Sequence, residues 1–312
     1  MLSRHNIRIK VLQSLYAFSQ SEHSDTSIAE KEYLKSVDES YRLYLLNMLY
    51  LLKVADYSKV DFEIKSKKHV PSEADKKLTL RLYENPVLVC LRENKSFFEI
   101  VKKEKLIPLI DNDMVRKLYK KFAQLEYYST YLDMDTVPLK EHQYCLVNLY
   151  KNMLGEELFI DHLEDISPTS EDDQSLVFGA LKRSIRSLND EPTFFTAQLP
   201  NKEFVHEFGK ELLYLAIQHN DTLQNLIVDR LKNWNEDRVA VLDMLLLKLG
   251  ICEFLYFPSI PTKVTINEYV GLAKDYSTDK SKRFINGILD RLMKDLSEQG
   301  LINKEGRGLK EN

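Results

Sequence analysis

The sequence predicts an all-α protein, and three observations predict it. Apolar residues recur at helical spacing along most of the chain. Runs that alternate apolar and polar residues, as a half-buried strand requires, are scarce. Glycine and proline number only nine each in 312 residues, where an α/β chain of this length is expected to hold about twenty glycines.

Ser3 is placed to cap a first helix whose apolar stripe is Ile7, Val11, Leu15 and Phe18. Residues 19–28 are polar and read as a loop. A second helix is expected from about Glu30 to Val54, with Leu43, Leu46, Leu49 and Leu52 among its apolar positions. Prolines at 71, 86, 108, 138, 168, 192 and 200 then divide the chain into shorter helical pieces, the clearest near 112–134, 138–155 and 173–189. Val87–Leu91 is an apolar run short enough to be a buried strand or a piece of helix.

A helix over roughly 203–232 follows. Asn235 fits as the N-cap of the next, with Trp234 and Val239 in the positions of a hydrophobic staple. The most apolar stretch, Val239–Phe257, is interrupted by Asp243, Lys248 and Glu253, so it predicts a central buried helix and not a membrane span. Pro258 and Pro261 end it. Thr265 and Glu268 have the spacing of a capping box, and a last helix is expected from near Thr278 to Gln299, stopped by Gly300. Residues 301–312 read as a flexible, charged tail.

Lys and Arg number 44 against 48 Asp and Glu, a net charge of −4, which excludes a histone-like protein but not a local basic patch. The cysteines, Cys90, Cys145 and Cys252, are odd in number, far apart and set among apolar neighbours. They read as core thiols of a reducing cytoplasm, with no disulfide framework and no zinc site. The start of the chain lacks the unbroken apolar core of a secretory signal. No phosphate-binding glycine loop, HExxH or GxSxG is present. The expectation is a cytoplasmic protein without enzymatic activity, cofactor, metal or membrane contact.

Two basic elements stand out. Arg4, His5, Arg8 and Lys10 precede the first acidic residue, Glu22, and Arg4 and Arg8 are i, i+4 neighbours at the edge of the apolar stripe. Near the other end, the last helix has a core stripe of Ile285, Ile288, Leu289, Leu292 and Leu296. Phe284 lies at its edge, and Lys280, Arg283 and Arg291 share that margin with Gly287 between them. An aromatic flanked by cations, beside a residue without a side chain, lets a nucleotide approach, stack and have its phosphate neutralised. Each element has a plainer reading: a helix start whose charges face water, and a core Phe beside a solvated face.

The segments Asn233–Arg238, Ile260-Pro261-Thr262-Lys263-Val264-Thr265-Ile266-Asn267-Glu268, Leu272-Ala273-Lys274 and Lys282-Arg283-Phe284-Ile285-Asn286-Gly287-Ile288-Leu289-Asp290, with the basic first helix, resemble the NusB family of bacterial transcription antitermination factors. The resemblance covers about 1–20 and 203–295. It implies a NusB-like helical bundle made of the first helix (1–20) and residues 203–300, with a largely helical insertion at 21–202. It also implies a non-catalytic factor that binds boxA-like single-stranded RNA of ribosomal RNA leaders. The implied partners are the ribosomal protein NusE and an elongation complex containing other Nus factors. Carried over by position, Arg4 and Arg8 match the family's basic motif, with His5 in a position where arginine is common. Phe284 matches an aromatic at the RNA surface, beside Lys280, Arg283 and Arg291. Tyr16 and Asp243 match positions at the seam with NusE, and Asp237 an acidic position on the same side. An alternative is a protein-interaction module whose insertion docks another partner. A cytosine methyltransferase, a class to which NusB-like domains are also fused, needs a nucleophilic cysteine, usually after proline. Cys90, Cys145 and Cys252 instead follow Val89, Tyr144 and Ile251.

Overall fold

The computed structural model describes residues 1–21, 25–70, 79–188, 193–231 and 239–309, and every regular element among them is helical. The helices are α1 (Arg4–Gln20), α2 (Thr26–Ser66), α3 (Pro86–Glu93), α4 (Lys95–Lys103), α5 (Asn112–Phe122), α6 (Glu126–Asp133), α7 (Leu139–Leu154), α8 (Glu157–Ile166) and α9 (Ser170–Ser187). They continue, after a π-helix (Glu203–Lys210), as α10 (Glu211–Gln218), α11 (Asn220–Val228), α12 (Val241–Tyr256), α13 (Thr262–Tyr276) and α14 (Asp279–Glu298). No described helix is long and apolar enough to cross a membrane.

The chain divides into two compact units. One holds Met1 and Asp38–Leu199; the other holds Leu2–Val37 and Pro200–Asn312. In the first, α2 supplies an almost continuous buried run from Tyr41 to Ala55 to the core. Helix α7 packs against α3, α5, α6, α8 and α9. Tyrosine hydroxyls knit this interior. The Tyr150 hydroxyl donates to Asn47 Oδ1 at 2.9 Å, Tyr44 pairs with Ser184 at 2.7 Å, and Tyr50 donates to the Leu109 carbonyl while meeting His162 Nε2 at 2.6 Å. Burial raises the pKa of Tyr44 and Tyr150 above the ordinary phenol value, so they are neutral donors at physiological pH.

The second unit is built on α12, buried without interruption from Asp243 to Phe254. Against it pack α1, α10, α11, α13 and α14. The charges that interrupt its apolar sequence are all buried and all partnered. Asp243 accepts from Ser277 at 2.8 Å, Lys248 donates to Asn220 at 2.7 Å, and Glu253 meets Arg8. Helix α1 lies on the π-helix, where Gly209 permits the approach: a Cβ there would collide with the Tyr33 hydroxyl and Ile7 Cγ2.

Several local expectations are corrected. Val87–Leu91, open between strand and helix on sequence alone, lies within α3, whose start is set by Asn85 as N-cap and Pro86 in the first turn. Segment 112–134 is two helices, broken around Gln124. Segment 203–232 is the π-helix followed by α10 and α11. Helix α2 starts earlier and runs on to Ser66, because Ser58 and Asp61 are also turned inward. Ser3 does cap α1, in a reciprocal box with Asn6. Thr265 caps nothing: α13 begins one turn earlier behind Pro261, and the Thr265 hydroxyl is buried on Glu253. The tail is docked through Lys304, Glu305 and the buried Gly308. Lys304 Nζ donates to the carbonyls of Glu253 and Phe257 at 3.0 Å each, capping the end of α12. Glu305 N–H donates to the Pro258 carbonyl. The Trp234–Asn235 start falls outside the described residues.

Candidate nucleic-acid interface

The basic start of α1 is divided between interior and surface. Ile7, Val11 and Leu15 face the core, and so do Arg8 and Lys10. Arg8 is 2 % exposed. Its Nε and Nη2 donate to the two carboxylate oxygens of Glu253 at 2.6 and 2.9 Å, the paired geometry that matches guanidinium to carboxylate. Tyr269 donates to Glu253 Oε1 at 2.7 Å and Thr265 to Oε2 at 3.0 Å. The Phe208 ring lies 5.0 Å from the guanidinium. Burial opposes the Arg8 charge, but Glu253 prevails and lifts its pKa further above the ordinary arginine value. Burial and the same carboxylate push the Tyr269 hydroxyl well up. Arg8 is therefore the key of a lock between α1, α12 and α13, not a surface cation. This corrects its expected place among RNA contacts.

Arg4 and His5 do reach solvent, each beside a carboxylate. Arg4 Nη2 is 3.4 Å from Glu203 Oε1, and its guanidinium lies 5.0 Å from the Phe204 ring. His5 Nδ1 is 2.8 Å from Glu268 Oε2, with Arg8 Nη1 at 3.5 Å from the same oxygen.

On α14 the sequence pattern becomes a clean amphipathic surface. Ser281, Ile285, Leu289, Leu292 and Leu296 are buried. Lys280, Arg283, Gly287 and Arg291 are exposed, and Phe284 is half-buried at the margin. A Cβ at Gly287 would meet no atom of the described residues within 4 Å. The helix start is fixed by the Thr278 hydroxyl, which accepts from the Ser281 N–H. Helix α13 packs on α14 and meets α1 through Glu268. No hydrogen bond or ion pair among the described residues joins Arg4 or His5 directly to the α14 cations.

Of the expected protein-contact residues, Tyr16 is 41 % exposed on α1. Asp243 is not at the surface. It is 5 % exposed and accepts from Ser277, whose hydroxyl oxygen also lies 2.9 Å from Ser281 Oγ. Its role is to tie the start of α12 to the α13–α14 turn, which corrects its expected place at a partner seam. Asp237 lies outside the described residues. Sequence reasoning missed Glu253 and Tyr269; the signal was a lone Glu in an apolar helix that must find a cation.

Comparison with known proteins bears on this same region. A model of the NusB family matches residues 171–294. Residues 171–294 belong to the NusB family. The matched segment holds most of α9, the π-helix and α10–α13, and nearly all of α14. It begins well before 203 and does not include α1. The chain is similar to proteins named transcription antitermination protein NusB: 50 % identical over 88 residues to that of Finegoldia magna (28 % of this chain, 64 % of the relative), 36 % over 118 residues to that of Chloroherpeton thalassium (38 % and 54 %), and 36 % over 103 residues to that of Salinibacter ruber (33 % and 64 %). The chain thus spans less than two thirds of the length of these relatives. No solved structure matches it. The NusB segment carries the exposed margin of α14 from Lys280 to Arg291, as well as Glu253 and Tyr269 of the buried lock.

Proposed function

We propose that this protein is a transcription antitermination factor of the cytoplasm that binds boxA-like single-stranded RNA together with the ribosomal protein NusE, within an elongation complex containing other Nus factors. The observation that carries the reading is the exposed margin Lys280–Arg283–Phe284–Gly287–Arg291, lying inside the segment that matches the NusB family. Phe284 offers a stacking surface, Gly287 leaves room for a base, and the three cations neutralise phosphates. Arg4 adds charge from α1 once phosphate competes with Glu203, and the His5 ring adds a hydrogen-bonding group beside it. Tyr16 is the side chain offered to NusE. No residue is assigned a chemical step.

Few phosphate contacts mean modest affinity and marked salt dependence. A second protein on the same RNA raises affinity by adding contacts. The test is fluorescence anisotropy of a short boxA-like RNA with the full chain, alone and with purified NusE, at two salt concentrations. Binding that tightens with NusE and weakens with salt is expected. Phe284→Ala should weaken it by about 1–3 kcal/mol, the range for one base–aromatic stack. Absence of binding in both arms, with folded protein, overturns the reading. Arg8 is unsuitable as a probe because its removal disturbs the interior.

A further inference from the structure

We propose that the outer face of α5, in the Asp38–Leu199 unit, docks the sugar–phosphate backbone of single-stranded RNA; this rests on the RNA-binding reading above. The observation is one of charge and placement. Residues 95–121 hold eight Lys or Arg against four Asp or Glu, whereas residues 156–173 hold eight Asp or Glu and no Lys or Arg. An acidic protein has therefore gathered cations in one stretch of one unit.

Helix α5 turns that stretch into a surface. Met114, Val115, Leu118, Tyr119 and Phe122 are buried, and the opposite side presents Arg116, Lys117, Lys120 and Lys121, all exposed. Arg116 pairs with Asp113 at 3.2 Å and Lys121 with Glu156. Lys117 and Lys120 form no ion pair among the described residues. Positions four apart are separated by about 6 Å along the axis, close to the step between successive phosphates of an extended strand. Lys102 and Lys103 in the last turn of α4, and Lys105 just beyond it, are exposed as well.

The chemistry selects nucleic acid over protein as occupant. A stable protein interface needs an apolar or aromatic anchor at its centre; this face presents the four cations, with Asp113, paired to Arg116, at its N-terminal end. A phosphate backbone requires cations and no anchor, and contacts of this kind position a strand without reading its sequence. The α5 face and the α14 margin thus differ in kind. One has charge alone, and the other has charge beside a stacking ring.

The experiment uses the full chain and its Lys117→Glu/Lys120→Glu variant, with Lys117→Gln/Lys120→Gln as a milder control. Three RNAs are titrated by anisotropy over a salt series: a short boxA-like RNA, the same RNA with oligouridine at both ends, and oligouridine alone. For the unaltered protein, the extensions should raise affinity several-fold at low salt and steepen the salt dependence. The Glu variant should lose that gain, and its slope of log K against log salt should fall by about 1.4, at roughly 0.7 per phosphate on a single strand. Binding of the short RNA should be unchanged. A gain that survives in the Glu variant, or no gain from the extensions, overturns the proposal. Oligouridine binding that the variant abolishes, with no binding of the short RNA by any form, would sustain the α5 surface and sink the boxA reading. Circular dichroism melts confirm that both variants fold.

Discussion

The two units hold their interiors together with different kinds of polar bond. In Asp38–Leu199 the buried bonds join neutral groups, as in Tyr150 to Asn47 and Tyr44 to Ser184, or run from a neutral hydroxyl to a carboxylate, as in Ser40 to Asp173 at 2.7 Å. In the unit containing α1 and the NusB helices, the deepest bond is a full ion pair, Arg8 to Glu253, with Tyr269 and Thr265 filling the remaining acceptor sites of the carboxylate. A neutral bond that loses one partner leaves an unsatisfied atom; an ion pair that loses one partner leaves a buried charge. The second is the harsher loss, and it makes the α1 unit more dependent on one contact than its neighbour is.

The largest expected effect is that of Arg8→Ala, a destabilisation of about 3–5 kcal/mol from the stranded Glu253 carboxylate, read by urea titration. Combining Arg8→Met with Glu253→Gln should recover much of it, because the amide oxygen can still accept from Tyr269, the amide N–H can donate to the Thr265 hydroxyl, and no charge remains. Tyr150→Phe comes next, at about 1–3 kcal/mol, since it strands Asn47 Oδ1 in the core. An Arg8→Ala loss smaller than that of Tyr150→Phe would break the comparison between the units.

The smallest effect concerns the tail. Burial lowers the Lys304 pKa from the ordinary lysine value to about 8, with Glu253 pulling the other way. The unfolded chain therefore binds more protons than the folded one between about pH 8 and the usual lysine range, and stability should rise with pH through that window. Lys304→Met should flatten the rise in melting temperature between pH 8 and 9.5. An equal rise in the variant would assign it to other groups.

The helical class and the α14 margin were legible because both rest on periodicity within one element. What escaped depends on contacts between elements. Arg8 looks like a surface cation on a helical wheel, and only α12 supplies the carboxylate that draws it inward. Asp243 reads as an acidic surface position until Ser277 is brought beneath it. Thr265 and Glu268 have capping-box spacing, yet Pro261 had already set the start of α13. Val87–Leu91 was legible in principle, since Asn85-Pro86 is an N-cap followed by a first-turn proline. The tail looked free because its anchors, Pro258 and the last carbonyls of α12, lie more than forty residues upstream.

The Arg8–Glu253 pair also sets an order of events during synthesis. Its members are 245 residues apart. At about 5–20 residues per second, Arg8 has been made for some tens of seconds before the carboxylate that neutralises it exists. The whole of Asp38–Leu199 is translated within that interval. Helix α1 must wait as an amphipathic strand of chain, carrying an unpaired cation, until the last third of the protein arrives to close over it.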